Sequence, residues 1–212
     1  MPTPRRHTRQ VVVDPYEVDV RLADLHLHRD LIGEAARRAD NDARSIPPYG
    51  YKGQANYDAG SRAVSTIIEE GGTTDGGWSR EDYLKIPVAM SADGRVAIHA
   101  TAGSDGTGRE DGDPRNLSLK GPHSIEATRP RQRSLDDELP PPDFYWMFMR
   151  RDDDGLWVEL FSPLLDESGY TYGFVERIII GNVDSGPRVR QSDLPAIPKA
   201  PEIDVRALRG AS

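Results

Sequence analysis

The side chains best placed to do chemistry lie between residues 99 and 120: His99, Asp105, Arg109 and Lys120, with Asp111 and Asp113 among them. A histidine there could act as a general base, Asp105 could hold a divalent cation, and Arg109 with Lys120 could neutralise substrate charge. That is the outline of a small metal-assisted hydrolase or phosphate-handling enzyme working from a loop at residues 102–121. Asp105, Asp111 and Asp113 offer hard oxygen ligands suited to Ca²⁺ or Mg²⁺, although their spacing fits no EF-hand and lacks its closing glutamate. Backbone N–H groups freed by Gly103, Gly106 and Gly108 could form an anion nest. No Gly-Lys-Ser/Thr leads into a helix, however, and Glu110, Asp111 and Asp113 would repel phosphate unless a cation intervened. Ser104 lies outside any Gly-x-Ser-x-Gly elbow. No organic cofactor is expected, and a divalent cation is the one inorganic candidate.

A second constellation, Asp24-Leu25-His26-Leu27-His28, has the His-x-His opening used by metal-dependent amidohydrolases and by polymerase-and-histidinol-phosphatase phosphoesterases. Those sites need the pair at a strand end with further ligands downstream. Here the pair opens a helical pattern, and only His7, His99 and His123 remain to complete a set. Residues two apart on a helix point about 200° away from each other, so an ordinary helix-start role is expected instead.

A chain of 212 residues suits one domain. Twenty glycines, seventeen prolines and a mean hydropathy of -0.63 imply a modest core inside much irregular structure. The absence of cysteine removes disulfides, thiolate zinc sites and thiol nucleophiles, and favours the cytosol. The basic start reaches only Val11-Val12-Val13, short of a signal core or membrane span, so a soluble cytoplasmic protein without membrane association is expected. A net charge of -8 disfavours non-specific nucleic-acid binding. Two arginine islands, Arg5-Arg6-Arg9 and Arg129-Arg131-Arg133, keep local phosphate contact open as a further reading.

Along the chain, residues 1–9 read as a basic tail, 10–183 as a single α+β domain and 184–212 as an extended proline-rich arm. After a short strand at 10–13, two helices are expected. The first spans 23–45, with Leu27, Leu31 and Ala35 in the core and Glu34, Arg37, Arg38 and Asp40 facing water. The second spans 56–70, with Ala59, Ala63, Val64, Ile67 and Ile68 as its stripe. Trp78 should plug the base of a mainly antiparallel sheet. That sheet is built from two hairpins, 83–91 with 95–101 around Asp93-Gly94, and 143–151 with 156–162 around Asp154-Gly155. The first register sets His99 opposite Val88 on an apolar face, where a hydrogen-bonded core histidine competes with a general base. The second sets Arg150 opposite Glu159 and Phe148 opposite Phe161. A final strand at 174–181, with the run Ile178-Ile179-Ile180, should be central and buried on both faces.

In order along residues 44–181, Ala43-Arg44-Ser45-Ile46-Pro47-Pro48, Gly77-Trp78, Asp93-Gly94-Arg95-Val96-Ala97-Ile98, Thr107-Gly108, Lys120-Gly121-Pro122 and Glu176-Arg177-Ile178-Ile179-Ile180 together resemble a group of bacterial proteins encoded among mobile-element and defence-island genes. The resemblance implies a bacterial cytoplasmic protein and supplies no activity, cofactor or catalytic residue. With no complete active-site motif, the leading expectation is an accessory or regulatory protein that binds a protein partner. Its sheet rim, central loop and loop tyrosines Tyr49, Tyr51, Tyr170 and Tyr172 would form the interface. The loop enzyme and a nucleic-acid-associated protein are the alternatives.

Overall fold

The computed structural model of the chain describes residues 9–47, 53–71, 77–129 and 141–183. The fold is α+β, with four helices and a seven-stranded sheet among these residues. Strand β1 (Gln10–Val12) leads into α1 (Pro15–Asp24), which starts where Asp14 caps the backbone N–H groups of Tyr16 and Glu17 and Pro15 occupies the first helical turn. Helix α2 (Arg29–Ser45) follows after a break at residues 25–28. The single helix expected over 23–45 is therefore two, because His26 adopts a left-handed φ of 58° and His28 turns its ring back to accept a hydrogen bond from Leu31 N. Leu27, Leu31 and Ala35 are buried as the periodicity requires. Asp40, expected at the surface, is buried because Arg151 reaches it with two hydrogen bonds, at 2.7 and 3.3 Å. Helix α3 (Gln54–Gly71) buries Ala59, Ala63, Val64 and Ile67 as expected.

The sheet has the order β1-β7-β6-β5-β4-β3-β2 and is mixed rather than mainly antiparallel. Strands β2 (Trp78–Tyr83), β3 (Ile86–Ser91) and β4 (Val96–Ala102) form one antiparallel meander, and β5 (Asp143–Asp152), β6 (Gly155–Leu165) and β7 (Thr171–Asn182) form another. The two join through β4 and β5 in parallel, because the chain leaves β4 at Ala102 and re-enters beside its start, where Asp143 N donates to Arg95 O. Strand β1 adds to β7, also in parallel. The strand expected over 83–91 is broken by Leu84 and Lys85, both at positive φ, into a tight β2–β3 turn that pairs Tyr83 with Ile86. Strand β2 carries Arg80, Glu81 and Asp82 along the sheet edge, a charged rim that discourages pairing with another chain.

Two further expectations about the sheet are corrected. The last strand is not central: β7 lies next to the edge, covered by the three residues of β1, and β5 occupies the middle. Ile178, Ile179 and Ile180 are nonetheless buried, between helices on one face and the residue 103–116 loop on the other. In the β5–β6 hairpin, Phe148 pairs with Glu159 and Trp146 with Phe161, two residues away from the expected register. The turn is Asp153-Asp154 because Asp152 Oδ1 accepts from the backbone N–H groups of Asp154 and Gly155 and from Trp157 Nε1. A shift of two keeps every side chain on its face, so Phe148 and Phe161 still stack, with centroids 5.0 Å apart.

Helices α1, α2 and α3 cover one face of the sheet over an aliphatic core. Trp78 seals its end, its indole donating to His26 O. The other face is an aromatic layer of Phe144, Trp146, Phe148 and Phe161, flanked by the short helix α4 (Pro122–Ala127). Among the described residues no helix is long and apolar enough to cross a membrane. Arg5, Arg6, Arg131, Arg133, Tyr49, Tyr51 and the 184–212 arm lie outside the described residues.

Candidate functional site

The loop after β4 is built against itself rather than open to a ligand. Gly103 N donates to Met149 O, Ser104 N to Arg115 O, Thr107 N to Ser104 O and Gly112 N to Arg109 O. These amides are spent internally, so the expected anion nest has few donors left. Gly106 and Gly112 are required by contact: a Cβ on Gly112 would lie 2.1 Å from Gly106 O. Asn116 staples the loop to the β6–β7 connection, donating to Gly169 O and accepting from Thr171 N and Oγ1.

A buried ion pair clamps the loop from below. Arg177 on β7 and Glu159 on β6 are 2.8 Å apart and both almost fully buried. Arg177 also donates to Gly112 O at 2.7 Å and to Arg109 O at 2.8 Å. Glu159 Oε1 has no hydrogen-bond partner within the geometry of a good bond. Burial pushes the Glu159 carboxyl up to about 7, with Arg177 pulling in the opposite direction. A carboxyl whose folded pKa exceeds its unfolded value binds its proton more tightly when folded, so its contribution is present at low pH and lost as pH rises from 4.5 to about 7. Urea denaturation across that window should show wild-type stability declining with pH through this group. Glu159→Gln should flatten that part of the profile, and an unchanged slope would refute the assignment.

The structure brings together only part of the expected catalytic set. Asp105 extends into solvent and pairs with Arg150 at 2.6 Å. Arg109 pairs with Asp152 at 2.8 Å and lies over the Trp157 ring. Asp113 pairs with its neighbour Arg115, and Asp111 is exposed. Among the described residues no group of three or more acidic or histidine side chains gathers as a metal site. His26 meets Asp93 at 3.5 Å and His28 caps α2, so each has a structural partner.

His99 and Lys120 do converge. They line a cleft of about 250 Å³ between α3 and the β3–β4 strands, with Asn56, Tyr57, Gly60 and Ser61 from the helix, Arg80 from the edge strand, and Thr101 and Ser118. The helix is pressed onto the sheet at Gly60, where a Cβ would lie 2.5 Å from Ala100 O, and this close approach shapes the cleft wall. The β3–β4 ladder pairs Ala89 with Ile98 and Met90 with Ala97, and Pro87 and His99 lie just beyond these pairs. At that point His99 Nδ1 lies 3.1 Å from Pro87 O. A carbonyl only accepts, so Nδ1 carries the proton and Nε2 keeps its lone pair. Burial, reinforced by the charge of Lys120, lowers the histidine pKa, which favours this neutral form.

Lys120 is half-buried, with Nζ 3.3 Å from Thr101 Oγ1 and 5.3 Å from the centroid of the Trp146 ring. Burial lowers its pKa. Among the described residues no carboxylate pairs with Lys120 or with Arg80, and the cleft lining contains none. On a chain of net charge -8 this is a local reversal of sign. Sequence reasoning found His99 and Lys120 but missed Arg80, Ser61, Thr101 and Tyr57. Their spacing in the chain carries no motif, and only the packing of α3 across β4 assembles them. No protein-family model matches the chain, and no curated protein or solved structure matches it either.

Proposed function

We propose that the protein acts by binding, and that the cleft between α3 and the β3–β4 strands receives the anionic group of a small molecule. The observation that carries this reading is the lining: among the described residues, Lys120 and Arg80 face a cavity with no carboxylate to neutralise them, beside hydroxyls at Ser61, Thr101 and Tyr57. A desolvated ammonium without a counter-ion is costly, and an incoming carboxylate or phosphate would relieve that cost while gaining charge-assisted hydrogen bonds. A cytoplasmic location fits the lack of cysteine. The four-residue hydrolase is disfavoured, since Asp105 and Arg109 are engaged with other partners.

Titration calorimetry with phosphate, sulfate and short mono- and dicarboxylates tests the proposal. At least one should bind, and Lys120→Met should weaken it about tenfold or more, in line with the loss of a charged hydrogen bond. Affinity should fall as salt rises. Absence of binding by every anion in the set, in protein that melts cooperatively, would overturn the reading.

A protein-binding role is favoured by a separate observation. Tyr170 and Tyr172 are 52% and 62% exposed on and beside the β6–β7 connection, and Leu117 and Leu119 are exposed on the loop stapled to it. Exposed aromatic side chains of this kind commonly anchor interfaces.

A further inference from the structure

We infer that Lys120 is a carbonyl-reactive amine, and that the ligand class of the cleft is a small oxo acid, whose carboxylate meets Arg80 while its carbonyl carbon meets Lys120 Nζ. This rests on the anion-binding reading of the same cleft and adds a covalent step to it.

The geometry supplies what the step needs. Lys120 Nζ is held by the Thr101 hydroxyl and the face of Trp146, and among the described residues no carboxylate keeps it as a paired ammonium. Its burial favours the free amine, which is the nucleophile. His99 lines the same cleft with Nδ1 committed to Pro87 O, so the nitrogen left for proton transfer is the basic Nε2. Arg80 adds a planar, always-charged donor suited to a carboxylate. The cleft, at about 250 Å³, is at or below the lower end of ligand-pocket volumes, which suits an acid of few carbons.

The chemistry balances without any redox partner. The Nζ lone pair attacks the carbonyl carbon, a C–N bond forms, and the C=O π electrons move to oxygen. A proton passes from nitrogen to that oxygen through His99 Nε2, giving a carbinolamine. The hydroxyl then takes up a proton from solvent and leaves as water while the nitrogen lone pair forms C=N, and the resulting iminium N–H returns that proton to solvent to leave the imine. The sum is one amine and one carbonyl giving one imine and one water. Reversal releases the oxo acid unchanged.

The experiment incubates the intact protein with pyruvate, reduces any imine with borohydride, and maps the resulting secondary amines by peptide mass spectrometry. Lys52, Lys85 and Lys199 in the same chain serve as internal references. Burial raises the free-amine fraction of Lys120 and the cleft holds the oxo acid beside it, so labelling of Lys120 should exceed that of exposed Lys85 several-fold. Lactate, which has the carboxylate and no carbonyl, should protect Lys120 and leave Lys85 labelling unchanged. The mapping is done on wild-type protein, so it does not depend on a Lys120 variant folding. Equal labelling of all lysines would overturn the inference. Lactate binding by calorimetry with no adduct at Lys120 would overturn the covalent step and leave the anion site standing. An adduct at Lys120 that lactate fails to protect would overturn the assignment of an oxo acid and the anion reading with it.

Discussion

Replacing Arg177 with methionine should destabilise the protein by about 3–5 kcal/mol, the cost of stranding one member of a buried ion pair. Methionine matches much of the arginine's length but leaves Glu159 buried without its counter-charge, and removes the donors that reach Gly112 O and Arg109 O. Glu159 then lies buried opposite Phe148 without its ion-pair partner, and Gly112 O loses the guanidinium donor, while Arg109 O keeps only the Gly112 amide. Most domains hold about 5–15 kcal/mol in all, so this one change should bring the chain close to unfolding at moderate temperature. The double variant Glu159→Leu with Arg177→Met removes both charges and should recover much of the loss. The 103–116 loop should remain loosened, because its two carbonyls lose the guanidinium that ties them to β7. Urea denaturation measures the first effect and limited proteolysis within the loop the second. A cost below about 1 kcal/mol for Arg177→Met would show that the pair does not hold the loop to the sheet.

Phe148→Ala should cost a similar amount, about 3–5 kcal/mol, through lost burial and the cavity left behind. The ring is fully buried on the central strand, stacked on Phe161 at 5.0 Å and tilted against Trp146 at 5.5 Å. Gly103 lies so close over it that a Cβ there would be 3.1 Å from the ring, so the loop cannot move far to fill the space without breaking its bridge to Asn116. Ile179→Ala, by the same reasoning applied to a smaller side chain, falls at the lower end of about 2–5 kcal/mol, since Ile179 lies outside both hydrophobic clusters. Thermal melts of the two variants decide the order. A larger loss at Ile179 than at Phe148 would mean that β7, not β5, carries the sheet.

The helices were legible because amphipathic periodicity is a local property: Leu31, Ala35 and Ala39, or Ala63, Val64 and Ile67, recur at helical spacing and are buried at those positions. The hairpin turns at Asp93-Gly94 and near Asp154-Gly155 were legible for the same reason, although the second was misplaced by one residue at the turn. That error came from Asp152, whose side chain closes the turn from outside it by binding three donors. Helix α1 was missed because Asp14-Pro15 reads equally as the end of a strand and the start of a helix. The charged pair Arg177 and Glu159 could have been suspected from an arginine directly preceding Ile178-Ile179-Ile180, since a charge in a buried strand needs a partner. Nothing local named Glu159 as that partner, eighteen residues away.

Residue types and short spacings determined the helical faces, the turns, the lack of thiol chemistry and the presence of His99 and Lys120 near one loop. The direction of β5 beside β4, the central place of β5, the burial of Asp40 and the assembly of Arg80, Ser61 and Thr101 with Lys120 were decided by tertiary structure alone. The division has one physical cause. Hydrogen bonds and side-chain faces repeat every two or 3.6 residues and are therefore written in any short window. The pairing of β4 with β5 depends on where the chain re-enters the sheet at Asp143, and the cleft depends on α3 lying over β4 at Gly60. Both are matters of long-range closure and packing, which no local period records.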